Sequence, residues 1–269
     1  MKKILVVFGT RPEAIKMAPL VKKLSTISEF QTKVCVTAQH RQMLDQVLEL
    51  FDITPDYDLD IMKRDQNLVD ITKNVLSGIN DVLLDFAPDI VLVHGDTTTA
   101  AVTSLAAFYN KIKVAHIEAG LRTNNLYSPY PEEANRQIIG VLANYHFAPT
   151  RIAMENLIKE NKPTSNILVT GNTVIDALLF ILDKILHNEK IKDSILKSLK
   201  NEGFIYNQNR KLILVTGHRR ENFGDGFINI CNGLKQIALN NPDVDILYPV
   251  HLNPNVQTPV NNILSGIKN

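Results

Sequence analysis

The sequence predicts an α/β protein built from two doubly wound parallel sheets, the second of which is incomplete. Short runs of β-branched residues alternate with longer amphipathic segments, a pattern typical of sheets covered by helices. The runs at 90–93 and 212–215 are apolar throughout, as expected for strands buried on both faces. With 269 residues, 45% hydrophobic and 21% charged, the chain can form one large or two smaller globular domains.

Hydrophobic periodicity assigns the elements in chain order. The predicted strands are residues 4–8, 33–37, 89–94, 113–118, 145–148, 167–170, 212–216 and 244–250. Amphipathic helices are predicted among them at 14–24, 42–50, 68–84 and 100–109.

Two successive segments suggest a domain boundary. Residues 174–186 are apolar around nearly the whole circumference of a helix, and the polar stretch 187–210 follows. We expect residues 1–170 to form the first domain, and residues 171–269 to contain connecting helices and an incomplete second domain. Only two strands are predicted in that second domain, and a two-stranded sheet is a poor independent fold.

Composition excludes several classes of function. The formal net charge is +1, so electrostatics gives no argument for nucleic acid or an anionic membrane as the main partner. Cys35 and Cys231 have no metal-ligand spacing and form no disulfide framework. Because no apolar stretch approaches ~20 residues and no signal-peptide core is present, we expect a cytoplasmic protein without a metal.

Candidate site residues follow the strands, because ligands of open parallel sheets bind at the carboxyl ends of the strands. Gly9 permits a tight turn after the first strand, and Arg11 and Lys16 then place cations at the start of a helix. Such a helix start is a candidate anion site, although a plain helix start with solvated charges fits equally well. Neither a Walker loop nor a Gly-x-Gly-x-x-Gly motif occurs in the chain.

Three carboxylates are predicted at the same edge. Asp96 follows the strand at 89–94 and could reach the ligand or cap the next helix. Glu118 ends an apolar strand, where an unpaired carboxylate is costly, which favours function. Glu132 falls in a first helical turn, where acidic residues commonly complement the helix dipole. Carboxylates for proton transfer opposite cations for phosphate suit a nucleotide-activated substrate.

Two histidines follow the strands of the second domain. His218 comes shortly after the strand at 212–216, in a basic loop that could serve a ligand or simply be solvated. His251 follows the strand at 244–250 and could instead close a core.

Several long motifs resemble those of the non-hydrolysing bacterial UDP-N-acetylglucosamine 2-epimerases. The motifs lie in family order along the whole chain, at residues 8–16, 94–98, 116–122, 127–133, 171–173, 218–222 and 248–254. The resemblance implies two Rossmann-like domains of the GT-B type, with substrate in the cleft between them. It also implies interconversion of UDP-N-acetylglucosamine and UDP-N-acetylmannosamine without a cofactor, for cell-surface polysaccharide precursors, by an enzyme that forms a homodimer when complete.

The resemblance assigns roles to particular residues. The family's proposed route eliminates UDP across C1–C2 of the sugar and adds it back after protonation on the other face. Asp96, Glu118 and Glu132 would be the acid–base carboxylates. The residues expected to contact the phosphates or stabilise the departing UDP are Arg11, Lys16 and His218.

Some family members bind a second UDP-N-acetylglucosamine as an activator. The matching positions here are Gln39, Gln42, Glu132, Arg219 and His251. Near this set the chain departs from the family pattern, because the arginine usual directly before a glutamine is replaced by Asp65, with Arg64 one place earlier. A shift of one residue redirects a side chain and therefore affects the expected activation.

Family members continue beyond the point that corresponds to Asn269. Their further βα units include a Ser-Gly-Gly loop for the UDP phosphates, and a closing helix returns to the first domain. We therefore expect this chain to lack most of the UDP site and to show little epimerisation by itself. Two alternatives stay open: a hydrolysing enzyme that releases N-acetylmannosamine and UDP, and an inactive fragment or subunit that needs a partner chain.

Overall fold

The computed structural model describes residues 1–38, 41–61, 66–217 and 223–269, and the side chains of Arg41 and Gln42 lie outside this description. The chain divides into two compact units, Met1–Asp183 and Lys184–Asn269.

The first unit contains a parallel sheet of seven strands. In chain order the strands are β1 (Lys2–Phe8), β2 (Phe30–Val36), β3 (Tyr57–Asp58), β4 (Ile90–His94), β5 (Lys113–Ile117), β6 (Tyr145–Ala148) and β7 (Ile167–Val169). Their order across the sheet is β3-β2-β1-β4-β5-β6-β7, and each neighbouring pair is parallel. The direction of winding therefore reverses between β1 and β4, which is where doubly wound sheets bind their ligands.

Helices connect these strands. They are α1 (Arg11–Ser25), α2 (Arg41–Leu50), α3 (Leu68–Phe86), α4 (Thr98–Tyr109), α5 (Glu132–Leu142), α6 (Arg151–Lys159) and α7 (Val174–Leu186), which continues into the second unit. A 3-10 turn (Thr164–Asn166) precedes β7.

The central strands are buried on both faces. Ile4, Val6 and Phe8 of β1 pack with α1, α2 and Ala177 of α7 on one face of the sheet. The alternate residues of β1, Leu5 and Val7, belong to the core with α3 and α4 on the other face. This two-sided burial is the physical reason for the uninterrupted apolar runs of the central strands, such as residues 90–93.

Helices cover only part of the sheet face that α1 packs against. A cavity of about 690 Å³ lies over β4, β5 and β6 there. Its lining is mostly apolar and includes Ile90, Leu92, Ala115, Ile117 and Phe147. The cavity is therefore mostly apolar, unlike the carboxyl ends of the strands, where the candidate polar residues lie.

The second unit has a much smaller hydrophobic core than the first. It contains α8 (Glu189–Asn201), β8 (Lys211–Leu214), α9 (Asp225–Asn240), β9 (Val244–Leu247) and α10 (Pro254–Leu264). β8 and β9 form a two-stranded parallel sheet, and all four residues of β8 are exposed. The expectation that the apolar run at 212–215 is buried on both faces is therefore wrong, because this sheet has only two strands and its apolar side chains are not covered within the described residues. The buried cluster consists of Phe227, Cys231, Val256 and Val260.

The predicted α/β fold and its strands are confirmed, since all eight expected strands occur within a few residues of their predicted bounds. β3 escaped prediction because it has only two residues and pairs only with Cys35 and Val36 of β2. The boundary after residue 170 stays a prediction, and residues 171–183 pack with the first unit. Across the described ranges, no helix is both long and apolar enough to cross a membrane.

Candidate active site

The carboxyl ends of β1, β4, β5 and β7 bring several polar side chains together in the first unit. Glu118 immediately follows β5, and its φ of +64° lies in the left-handed region, which is unusual for a residue with a Cβ. A Cβ placed on Gly95 would lie 3.7 Å from Glu118 Oε2, so this carboxylate lies beside the residue that precedes Asp96. The turns after the neighbouring strands β4 and β5 therefore account for the predicted proximity of Asp96 and Glu118.

Glu118 is held by two donors from distant parts of the chain. Lys16 Nζ of α1 lies 2.7 Å from Oε1 and 2.8 Å from Oε2. Asn172 Nδ2 donates to Oε1 at 2.6 Å, while Asn172 Oδ1 accepts from the backbone N–H of Val174 at the start of α7. Lys16, expected at the phosphates, is therefore paired with a candidate catalytic carboxylate here, and its phosphate contact stays a prediction.

His94 completes this cluster as a neutral group. Its Nε2 lies 3.5 Å from Glu118 Oε2, and its side chain is almost fully buried. Burial, reinforced by the Lys16 charge, lowers the pKa of His94 to about 3. The imidazole is therefore uncharged near neutral pH, and its contact with Glu118 is not an ion pair.

Asp96 is held by α5. Arg136 Nε donates to Asp96 Oδ2 at 2.9 Å, and Arg136 Nη2 lies 2.7 Å from the same oxygen. Asn135 Nδ2 donates to the backbone oxygen of Asp96 at 2.8 Å. The alternative that Asp96 caps α4 is wrong, because the Thr97 side chain is the N-cap and accepts from the N–H of Ala100.

The two glutamates that begin α5 have different surroundings. Glu133 is fully buried and accepts hydrogen bonds from the N–H groups of Thr123 and Asn124 and from Arg136 and Gln137. Burial alone would raise the pKa of Glu133, but these four donors outweigh it and lower the pKa. Glu132 is half-buried, and within the described part of the chain its carboxylate accepts no hydrogen bond.

A second buried carboxylate, Glu13, ties two of the turns together. Its Oε2 accepts from the N–H of Gly9 and from the N–H and hydroxyl of Thr10, and its Oε1 accepts from the Thr97 hydroxyl at 2.7 Å. Burial raises the pKa of Glu13 in spite of these hydrogen bonds. The N–H groups of Gly9 and Thr10, just before α1, are thereby already used, whereas Arg11 at the start of α1 is exposed and can meet an anion.

Sequence reasoning missed Arg136 and Asn172, whose contacts lie 40 and 54 residues away along the chain. It also missed Glu133, whose partners are local, because an acidic residue in a first helical turn is expected in any helix. Glu13 did have a sequence signal, since Thr10-x-x-Glu13 matches the capping-box pattern that the structure contains.

The remaining predicted residues belong to other parts of the chain. His218, Arg219 and Gln39 lie outside the described residues, as does the side chain of Gln42. His251 lies just before α10 in the second unit, is exposed, and accepts from the N–H of Asn253 at its Nδ1. In the described ranges no group of three His, Cys, Asp or Glu side chains could hold a metal ion.

Comparison with known proteins identifies the family of the chain. The family model of UDP-N-acetylglucosamine 2-epimerase matches residues 22–269. The UDP-N-acetylglucosamine 2-epimerase of Campylobacter jejuni is 64% identical over all of this chain, which spans 70% of that protein. That of Salmonella typhimurium is 59% identical over 99% of this chain and 70% of its own length.

A solved structure shows the same fold. The crystal structure of UDP-GlcNAc 2-epimerase from Neisseria meningitidis bound to UDP-GlcNAc matches with a TM-score of 0.88 and 53% identity. The match covers 99% of this chain and 71% of that one. This chain therefore belongs to the UDP-N-acetylglucosamine 2-epimerases, a family of isomerases of the GT-B type.

Proposed function

We propose that this protein interconverts UDP-N-acetylglucosamine and UDP-N-acetylmannosamine without releasing free sugar. The observation that carries this proposal is the pair of carboxylates, Asp96 and Glu118, at one edge of the first sheet and beside the cations Arg136 and Lys16. The Neisseria meningitidis relative, 53% identical, is described as bound to UDP-GlcNAc, which supports the same substrate here.

The chemistry needs a proton acceptor, a proton donor and a stabilised leaving group. A carboxylate takes the C2 proton while the C1–O bond breaks and UDP leaves with the bonding electrons. Protonation of C2 on the opposite face and renewed attack of UDP on C1 then complete the epimerisation. Asp96 has Oδ1 without a hydrogen bond from the described residues, so one of its oxygens is open to a proton.

Cationic side chains are needed to stabilise the leaving UDP. A leaving diphosphate is stabilised by charge-assisted donors, and Arg11 is exposed at the start of α1 where such a group can bind. We assign His218 to the same task on the strength of the family motif alone. We assign Gln39, Gln42, Glu132, Arg219 and His251 on the same ground to a second substrate molecule that activates the enzyme.

We infer that the complete enzyme is a homodimer. The outer surface of α3 and α4 supports this inference, since Val69 and Tyr109 are 75% and 64% exposed there. A shallow cavity of about 530 Å³ between these helices is lined in part by Leu76 and Ala106. Exposed apolar surface of this kind is typical of protein–protein interfaces.

The test uses two forms of the protein. One is the 269-residue chain, and the other, here called the completed chain, carries in addition the part of the Campylobacter jejuni relative that this chain does not cover. In the completed chain, Asp96→Asn and Glu118→Gln should each lower turnover about 10²–10⁴-fold, the usual contribution of a general acid or base. Deuterium incorporation at C2 in heavy water measures the step directly.

Matched variants separate chemistry from folding. Asp81→Asn and Glu155→Gln change exposed carboxylates elsewhere in the first unit and should leave deuterium incorporation unchanged. Near-normal exchange by both Asp96→Asn and Glu118→Gln, or no exchange by the completed chain, would contradict the proposal. Free N-acetylmannosamine formed in equal amount with UDP would instead identify a hydrolysing enzyme.

A further inference from the structure

Asp96 is fastened by side chains from a single helix. Asn135 and Arg136 of α5 hold its backbone oxygen and its carboxylate, although they lie 39 and 40 residues farther along the chain. Glu133 lies one turn before them and contacts Arg136 from the other side. Two positions of α5 thus hold Asp96 directly, and a third, Glu133, holds Arg136.

Arg136 contacts only one of the two carboxylate oxygens of Asp96. Nε and Nη2 both meet Oδ2, at 2.9 and 2.7 Å, and no described residue donates to Oδ1. A planar guanidinium that holds one oxygen in this way fixes the plane of the carboxylate while the second oxygen stays open. This is the geometry that a carboxylate needs if its free oxygen is to meet a proton on a bound substrate.

Glu133 fixes the guanidinium in turn. Its Oε2 lies 3.1 Å from Arg136 Nη1, and the same carboxylate accepts from the N–H groups of Thr123 and Asn124. The Glu133 side chain is fully buried and the Arg136 side chain is only 15% exposed. The arginine therefore bridges two carboxylates, one buried and structural, the other at the candidate site.

We propose that Arg136, locked by Glu133, is the positioning residue that holds Asp96 with one oxygen open for proton transfer. The proposal rests on the proposed function, because it assumes that Asp96 moves the C2 proton. Arg136 acts through Asp96 and is not itself placed at the reacting atoms. A lysine keeps the charge but cannot supply two parallel N–H donors, so it should replace arginine only in part.

Turnover should fall when the carboxylate is released. In the completed chain, Arg136→Lys should lower kcat about 10-fold and Arg136→Ala about 100-fold, the scale of a misplaced catalytic group, with little change in KM. Guanidinium ion added to Arg136→Ala should restore part of the lost rate. Arg151→Ala, at an exposed arginine that begins α6, is the matched control and should keep normal kcat with no response to guanidinium.

A double-mutant cycle distinguishes positioning from general stability. In an Asp96→Asn background, Arg136→Ala should have no further effect on the residual rate, since its target is already disabled. An equal loss in both backgrounds, or a normal rate for Arg136→Ala, would overturn the positioning role even if Asp96→Asn is slow. A normal rate for Asp96→Asn would overturn the proposed function instead.

A structural readout needs no turnover. A crystal structure of the 269-residue chain with Arg136→Lys should show the Asp96 carboxylate in more than one orientation, with Glu133 still bound to Thr123 and Asn124. A single, unchanged Asp96 orientation in that variant would contradict the proposal.

Discussion

The two units of this chain differ in how completely their apolar side chains are covered. In the first unit β1 is buried on both faces, and Phe8 is 0% exposed. In the second unit every residue of β8 is exposed, with Leu214 at 62%. Both units use parallel strands and helices, so the difference lies in how far the strands are buried and not in the type of structure.

This difference explains where a precise site can form. A sheet packed on both faces holds the turns after its strands rigidly, so hydrogen bonds such as Lys16–Glu118 and Arg136–Asp96 can fix carboxylates. The second unit has exposed apolar residues in β8 and only a small buried cluster. We therefore attribute stability and preorganised chemistry in this chain chiefly to the first unit.

The largest difference between the units is expected from truncating one apolar side chain in each. Phe8→Ala should lower the free energy of unfolding of the first unit by about 3–5 kcal/mol, because it leaves a cavity in a closed core. Leu214→Ala should change stability by less than about 0.5 kcal/mol, as for other exposed positions. Urea unfolding and amide hydrogen exchange, resolved by unit, measure both effects.

Equal losses for Phe8→Ala and Leu214→Ala would break the comparison, because they would mean that β8 is covered in solution. Repeating Leu214→Ala in the completed chain sharpens it: a cost that rises there would show that the added segment packs on β8.

The next effect is a pH dependence confined to the first unit. Burial, followed by the charges of Lys162 and Arg122, lowers the pKa of His146 to about 4. The folded state therefore binds fewer protons than the unfolded state between pH 6.5 and 4, so this stability is complete above pH 6.5 and declines as pH falls. At about 1.4 kcal/mol for each pKa unit, the loss by pH 4 is about 3 kcal/mol.

His146→Gln should make that part of the profile of unfolding free energy against pH less steep, while the buried His94 and His116 keep their own contributions. His187→Gln, at an exposed histidine in the second unit, should keep the profile of the unchanged chain. A His146→Gln protein as acid-sensitive as the unchanged chain would assign the effect to other groups, such as the buried His94 and His116.

The fold of the first unit could be predicted from the sequence because its central strands are buried on both faces, which produces apolar runs that need no partner to be recognised. The site could be predicted only in part. Asp96 and Glu118 follow strands directly, so position alone identifies them. Arg136 and Asn172 reach those carboxylates from 40 and 54 residues away, and no local pattern records such a contact.

The choice of N-cap for α4 is a second, local feature that the sequence could not settle. Asp and Thr are both good N-caps, so the sequence Asp96-Thr97 leaves the choice open. The structure decides for Thr97 because Arg136 and Asn135 already hold Asp96.

The smallest effect comes from removing one helix cap in each unit. Asn67 caps α3 by accepting from the N–H of Asp70, and Asn188 caps α8 by accepting from that of Ile191. Each replacement by alanine should cost the helix about 1 kcal/mol. α3 buries six residues in the core, so Asn67→Ala should lower global stability, whereas α8 buries none and Asn188→Ala should fray the helix locally.

Amide hydrogen exchange distinguishes the two outcomes. Asn188→Ala should speed exchange in α8 about fivefold, the factor that about 1 kcal/mol represents, and leave the urea midpoint of the first unit unchanged. Asn67→Ala should lower that midpoint and leave α8 exchange unaltered, because the cost is shared by every element packed against α3. If Asn188→Ala lowered the midpoint of the first unit as much as Asn67→Ala, α8 would be part of the same cooperative core. The contrast between a closed and an open unit would then be wrong.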